Sequence, residues 1–169
     1  SQGWGLWLGG IAAVGAFAGN TLTRNKLGPA SVSSEVAGVL DAASTYKGND
    51  LDRIDVRDNS VSKAVTWEAL DVPYQLNSVV GAKLVWTIAP GVTLLMAKGS
   101  GVGVNGDDSA FHAVGTAAKP ILITGVEKTA GAWESLSFGG SKNGANALDH
   151  CTVEYGGGGS AKGQMGMIL

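Results

Sequence analysis

Short runs of alternating residues, closed by turn signals and spaced too tightly for intervening helices, constrain this chain more than any single motif. They extend from Gly5 to Leu8, Ala37 to Leu40, Arg53 to Val56, Val65 to Trp67, Lys83 to Ile88, Val92 to Met96, Val102 to Val104, Ala110 to Val114, Ile121 to Thr124, Trp133 to Phe138, Leu148 to Tyr155 and Met165 to Leu169. Successive side chains of a strand point to opposite faces, so each run can bury one face and hydrate the other. Pro90-Gly91, Asn105-Gly106-Asp107 and Asn143-Gly144 supply turns between runs, since glycine and asparagine accept left-handed backbone. Many short strands without helices between them imply an all-β sandwich, barrel or solenoid.

Composition agrees: 27 Gly stand against 4 Pro in 169 residues, enough chain for one domain with a real core. Charge is sparse, 14 acidic and 12 basic side chains, so no basic field exists to hold phosphate backbones and nucleic acid is not an expected partner. The single cysteine, Cys151, rules out an intrachain disulfide and multi-cysteine zinc sites. Its strand-like setting suggests an inward, buried, inert thiol. Residues 1 to 23 carry no charge, yet six glycines, Gln2 and Asn20-Thr21 break their apolar density. A membrane span is therefore not expected, and the opening Ser1, without a basic leader, fits neither an intact signal peptide nor a native start.

Internal repetition favours the solenoid. Phe17-Ala18-Gly19-Asn20 and Tyr46-Lys47-Gly48-Asn49 share an aromatic-x-Gly-Asn pattern 29 residues apart. Asparagine at a corner can bond neighbouring main chain, so Asn20 and Asn49 either align as a structural ladder or act as isolated turn residues. Trp86, Met96, Val104, Ile123, Phe138 and Val153 mark the expected inward positions. Irregular spacing is no objection, because stacked coils keep an inward ladder while loop lengths vary.

Several stretches carry a resemblance: Tyr46 to Asn49, Asp52 to Val56, Thr66 to Tyr74, Leu84 to Leu94, Ala113 to Gly125 and the unit from Trp133 to Gly157. With them, residues 45 to 169 resemble bacterial extracellular proteins of the right-handed parallel β-helix, pectin-lyase-like superfamily. Residues 1 to 44 fit more loosely, as one or more less regular N-terminal coils. The resemblance implies about three short strands per coil, one domain over residues 1 to 169, an extracellular or cell-surface location, and a longer parent solenoid cut at both ends. Uncapped ends would then stack on adjacent coils or on another copy.

Candidate chemistry is thin. Polysaccharide lyases on the resembled scaffold hold calcium on acidic side chains beside a basic proton acceptor, which points to Asp50, Asp52 and Asp55, with Asp58, Arg53 and Arg57 nearby. The simpler reading of that run is a self-neutralising, solvated surface. Glycoside hydrolysis needs two carboxylates across a cleft, and Asp107, Asp108, Glu127, Glu134, Asp149 and Glu154 are available in number, Glu134 and Glu154 at outward-looking strand positions; His112 and His150 belong to no local metal motif. Trp67 and Trp133 could stack sugar rings if they face outward, or fill the core if they face inward. The expected function is a non-catalytic surface scaffold for adhesion or self-assembly, without a cofactor. The alternatives are a carbohydrate-binding module, and a polysaccharide lyase or glycoside hydrolase.

Overall fold

In the computed structural model, which describes residues 3–10 and 14–159, regular structure is nearly all β, and every pairing between strands is parallel. Three sheets form. The first orders seven strands as β1 (Trp4–Leu8), β2 (Gly28–Val32), β3 (Ile54–Val56), β6 (Tyr74–Leu76), β9 (Thr93–Met96), β12 (Ile121–Gly125) and β15 (Cys151–Glu154). The second orders β13 (Leu136–Ser137), β10 (Gly101–Val104), β7 (Val79–Ala82) and β4 (Ser60–Val61). The third orders β14 (Ala147–Asp149), β11 (Ala110–Val114), β8 (Val85–Ile88) and β5 (Val65–Trp67). From β3 to β15 the chain visits first, second and third sheet in strict rotation, so each strand pairs with the one three further along. Such an order is compatible with a parallel β-helix or solenoid.

Inward aliphatic side chains explain the register. In the first sheet Leu6, Ala30, Ile54, Tyr74, Leu94, Ile123 and Val153 stand in one row, and Leu8, Val32, Val56, Leu76 and Met96 in another. Ala30 through Ile123 are fully buried or nearly so, and each large aliphatic member contributes about 1.5–3 kcal/mol by leaving water. Successive members of the first row lie 24 residues apart from Leu6 to Ala30 and from Ala30 to Ile54, and 20 apart from Ile54 to Tyr74 and from Tyr74 to Leu94. The step then lengthens to 29 at Ile123 and 30 at Val153. A parallel ladder needs matched strands but sets no length for the connections between them, so loops absorb the difference.

Aromatic side chains fill the space between the sheets. Trp67 packs on Tyr74 and on Trp86 with ring centroids 4.7 Å apart in each pair, and Trp86 meets Phe111 edge-on at 5.2 Å. Beneath them Tyr46 is also buried, its hydroxyl donating to the Asp41 carbonyl at 3.2 Å. Burial pushes the Tyr46 phenol up to about 12 from its ordinary 10.0 and raises that of Tyr74 as well. A raised folded pKa means the unfolded chain ionises first. The stability these phenols supply is whole below pH 10 and lost as pH climbs towards about 12. Urea midpoints should fall across that window, and Tyr46→Phe should reduce the decline.

Several sequence expectations need correction. Ala37 to Leu40 is not a strand: α1 (Ser34–Ala37) makes one helical turn there. The buried residues Val36, Ala37 and Leu40 have helical rather than alternating spacing. Trp133 to Phe138 narrows to the two residues of β13, and Phe138 faces outward, 38% exposed, instead of inward. Leu148 to Tyr155 is two strands in different sheets, broken at His150, whose φ of 48° turns the corner. Cys151 is half-buried rather than buried, its Sγ 3.3 Å from the Ala113 carbonyl oxygen, and partial burial raises its thiol pKa. Met165 to Leu169 lie outside the described residues.

The strands β2, β4, β6 and β7 had no counterpart in the sequence reading. β2 opens at Gly28, with φ 128°, where an added Cβ would stand 2.7 Å from both the Leu51 carbonyl oxygen and the Trp4 ring. Only glycine lets three neighbouring segments approach so closely there.

Candidate functional site

Alternation along the first sheet produces a second row, pointing away from the core: Trp7, Ser31, Asp55, Gln75, Leu95, Thr124 and Glu154. Outward positions usually meet water, yet Ser31, Asp55, Gln75 and Thr124 are buried. Polar neighbours cover them. The Asp55 carboxylate pairs with the Arg57 guanidinium and accepts hydrogen bonds from Asn77 Nδ2 at 2.8 Å and Ser31 Oγ at 3.3 Å. Asn77 Oδ1 in turn accepts from Gln75 Nε2 at 2.7 Å. Gln75 Oε1 remains buried without a partner, a costly state for an acceptor.

Two shallow clefts flank this network. One, of about 360 Å³, is lined by Asp55, Arg57, Asn77 and Ser78. The other, of about 170 Å³, includes Trp7, Ser31, Arg57 and Asp58 in its wall. Arg57 borders both, its side chain is more than half exposed, and its guanidinium carbon lies 5.4 Å from the Trp4 ring centroid. Trp7 is 67% exposed and stands at the end of the outward row. At a strand spacing of about 4.8 Å, Trp7 to Gln75 covers roughly 14 Å. An exposed aromatic face and a guanidinium that is more than half exposed are thus held on one surface. Such a surface can bind, through stacking and charge-assisted hydrogen bonds.

The predicted site residues are placed otherwise. Asp50 and Asp52 are both exposed, and only Asp55 joins the network. Asp52 accepts the backbone N–H of Asn49 at 2.8 Å and of Gly48 at 3.2 Å. Slight desolvation pulls its pKa up, but those N–H groups outweigh it and hold the carboxyl below its usual range. Asp50, Asp52 and Asp55 therefore do not converge, and the described residues contain no group of three or more His, Cys, Asp or Glu able to hold a metal ion. Asp58 accepts the Ser34 N–H at 2.7 Å.

Trp67 and Trp133 also need correction as sugar platforms, because both rings are buried in the core. Their indole N–H groups are satisfied inside, Trp67 by the Ser34 carbonyl at 2.9 Å and Trp133 by the Glu154 carbonyl at 2.7 Å. The asparagine ladder exists with a different partner. Asn49 Oδ1 accepts from both the backbone and the side chain of Asn25, at 3.0 and 2.9 Å. Asn20 instead donates its N–H to Ser44 Oγ at 2.9 Å. Thr21 bridges Thr45, so the register here is 24 residues and the 29-residue motif spacing does not set it.

Glu154 lies in the outward row and accepts from Thr124 Oγ1 at 3.0 Å, whereas Glu134 lies in the irregular segment before β13. His112 donates from Nδ1 to the Ala145 carbonyl at 2.9 Å, and His150 lies 2.9 Å from Asp149. Trp7 and Asn77 are the binding-capable residues that sequence reasoning missed. Trp7 had a usable signal, an alternating strand flanked by Leu6 and Leu8. No helix among the described residues is long and apolar enough to cross a membrane. No family model, curated protein or solved structure matches the chain.

Proposed function

We propose that the chain is part of a right-handed parallel β-helix serving as a non-catalytic scaffold, extracellular or on a cell surface, that presents loops for adhesion or self-assembly. The observation that carries this reading is the strict rotation through three parallel sheets from β3 to β15 while the step between inward residues grows from 20 to 30. Stacked walls in constant register with connections of variable length suit a surface built to display loops. Among the described residues the first sheet has β1 and β15 as its edges, and Leu6 and Leu8 at one end and Leu148, Cys151 and Val153 at the other are only partly buried. Head-to-tail addition of a second copy would extend the inward rows and bury them. Such an interface is heterologous and forms open filaments.

Light scattering and electron microscopy at increasing concentration test it. Wild-type protein should form concentration-dependent linear assemblies, and Val153→Lys should remain monomeric. A wild-type chain that stays monomeric throughout would remove self-assembly from the reading.

A second reading, a carbohydrate-binding module, is favoured by one observation: exposed Trp7 and Arg57 share a cleft on the outward face. Uronic-acid oligosaccharides should quench tryptophan fluorescence, with Trp7→Ala and Arg57→Ala each abolishing the response. An unchanged spectrum in the wild type would count against it.

A further inference from the structure

The two Asn-Gly pairs of the chain, Asn105-Gly106 and Asn143-Gly144, occupy comparable corners and are held very differently. We infer that Asn105 is a site of spontaneous deamidation and that the fold protects Asn143 from the same reaction. The chemistry needs only water. The backbone nitrogen of the following residue bonds to the asparagine Cγ and loses its proton, the bond from Cγ to Nδ2 breaks, and ammonia leaves. The resulting five-membered succinimide is opened by water at either carbonyl, giving aspartate or isoaspartate. Glycine as the following residue favours the attack because no side chain obstructs its nitrogen.

Asn105 and Gly106 lie in the turn from β10 to β11, and both are exposed. Gly106 has φ 104°, and its carbonyl is fixed by the Ser109 N–H at 3.2 Å and the Ser109 hydroxyl at 2.6 Å. The Asn105 side-chain amide has no hydrogen-bond partner among the described residues. Its Oδ1 lies alongside Gly139 and its Nδ2 alongside Gly103, in contact but without a hydrogen bond, so no hydrogen bond has to open before its Cγ turns towards the Gly106 nitrogen.

Asn143 sits in the corresponding corner between β13 and β14, half-buried. Its Oδ1 accepts the Ala145 N–H at 3.0 Å, and its Nδ2, the group that must depart, donates to the Asp108 carbonyl at 3.1 Å. Its backbone is held as well, the N–H donating to Ser141 Oγ at 3.3 Å and the carbonyl accepting from Asn146 at 3.1 Å. Both side-chain bonds must open before Cγ can meet the Gly144 nitrogen.

The product at position 105 places a new carboxylate beside Asp107 and Asp108. The isoaspartyl form also lengthens the backbone at the corner that supplies the Asp108 carbonyl to Asn143. Deamidation at one corner therefore bears on the next.

Native protein is incubated at mildly alkaline pH, then digested and mapped by mass spectrometry with isoaspartate detection. The same incubation in concentrated urea gives the rates without the fold. In native protein Asn143 should convert roughly tenfold or more slowly than Asn105, since two hydrogen bonds must first break. In urea the two should convert at similar rates. Gly106→Ala should slow the reaction at Asn105, and the urea arm reads this even if that variant folds poorly. An unmodified Asn105 in native protein, or an Asn143 converting as fast natively as in urea, would overturn the inference.

Discussion

Leu94→Asp is expected to abolish folding, and Leu95→Asp, one residue further along β9, is expected to leave a folded chain. The two leucines are chemically identical and adjacent, so only the direction of the side chain separates them. Leu94 is fully buried in the inward row between Tyr74 and Ile123, and Leu95 is only partly buried in the outward row between Gln75 and Thr124. Truncating a buried leucine already costs about 2–5 kcal/mol. Aspartate adds the desolvation of a carboxylate with no partner, which must take up a proton to remain inside. Set against a total stability of about 5–15 kcal/mol for a domain, that sum exceeds what one position can lose. At Leu95 the carboxylate reaches water, and a cost of about 1 kcal/mol or less follows. Far-ultraviolet circular dichroism and urea titration of the two variants read the difference. Equal behaviour of the pair would mean that the alternation assigned to β9 is wrong.

That pair also shows what the sequence made legible. Alternation is local, so β5 and β11 could be read to their end residues, and Trp86, Met96, Val104 and Ile123 could be recognised as inward. Register is not local. Asn49 could be recognised as a ladder residue, but its partner Asn25 could not, because the pairing step of 24 residues follows loop lengths that no motif marks. The same limit hid the surroundings of Asp55. Its acidic neighbours in sequence, Asp50 and Asp52, lie elsewhere, while Ser31 reaches it from β2 and Asn77 from just past the end of β6. Phe138 failed for another reason: irregular segments flank the two residues of β13, and parity does not carry through them. Val36, Ala37 and Leu40 offered a helical spacing within too short a segment to stand out from a strand.

Trp67→Ala should be the most damaging truncation in the core. The ring is fully buried and central to the aromatic stack, touching Tyr74 on one side and Trp86 on the other. Removing a buried tryptophan costs about 3–5 kcal/mol through lost transfer energy and the cavity left behind. The indole N–H also serves the Ser34 carbonyl at 2.9 Å, so the variant strands a buried acceptor, at a further cost of about 1–3 kcal/mol. That bond links β5 to α1, whose Ser34 N–H is already engaged by Asp58 at 2.7 Å. Loss of the indole should therefore loosen the segment around α1 as well as the stack. Trp67→Phe separates the two contributions, since it keeps an aromatic ring and removes the N–H. Its urea midpoint should lie between those of wild type and Trp67→Ala, and hydrogen exchange around α1 should accelerate in both variants. Exposed Trp7 sets the scale at the other extreme, with Trp7→Ala expected to shift stability by only about 0.5 kcal/mol. If Trp67→Ala proved as mild as Trp7→Ala, the burial of Trp67, and with it the packing of the three sheets around that ring, would have to be abandoned.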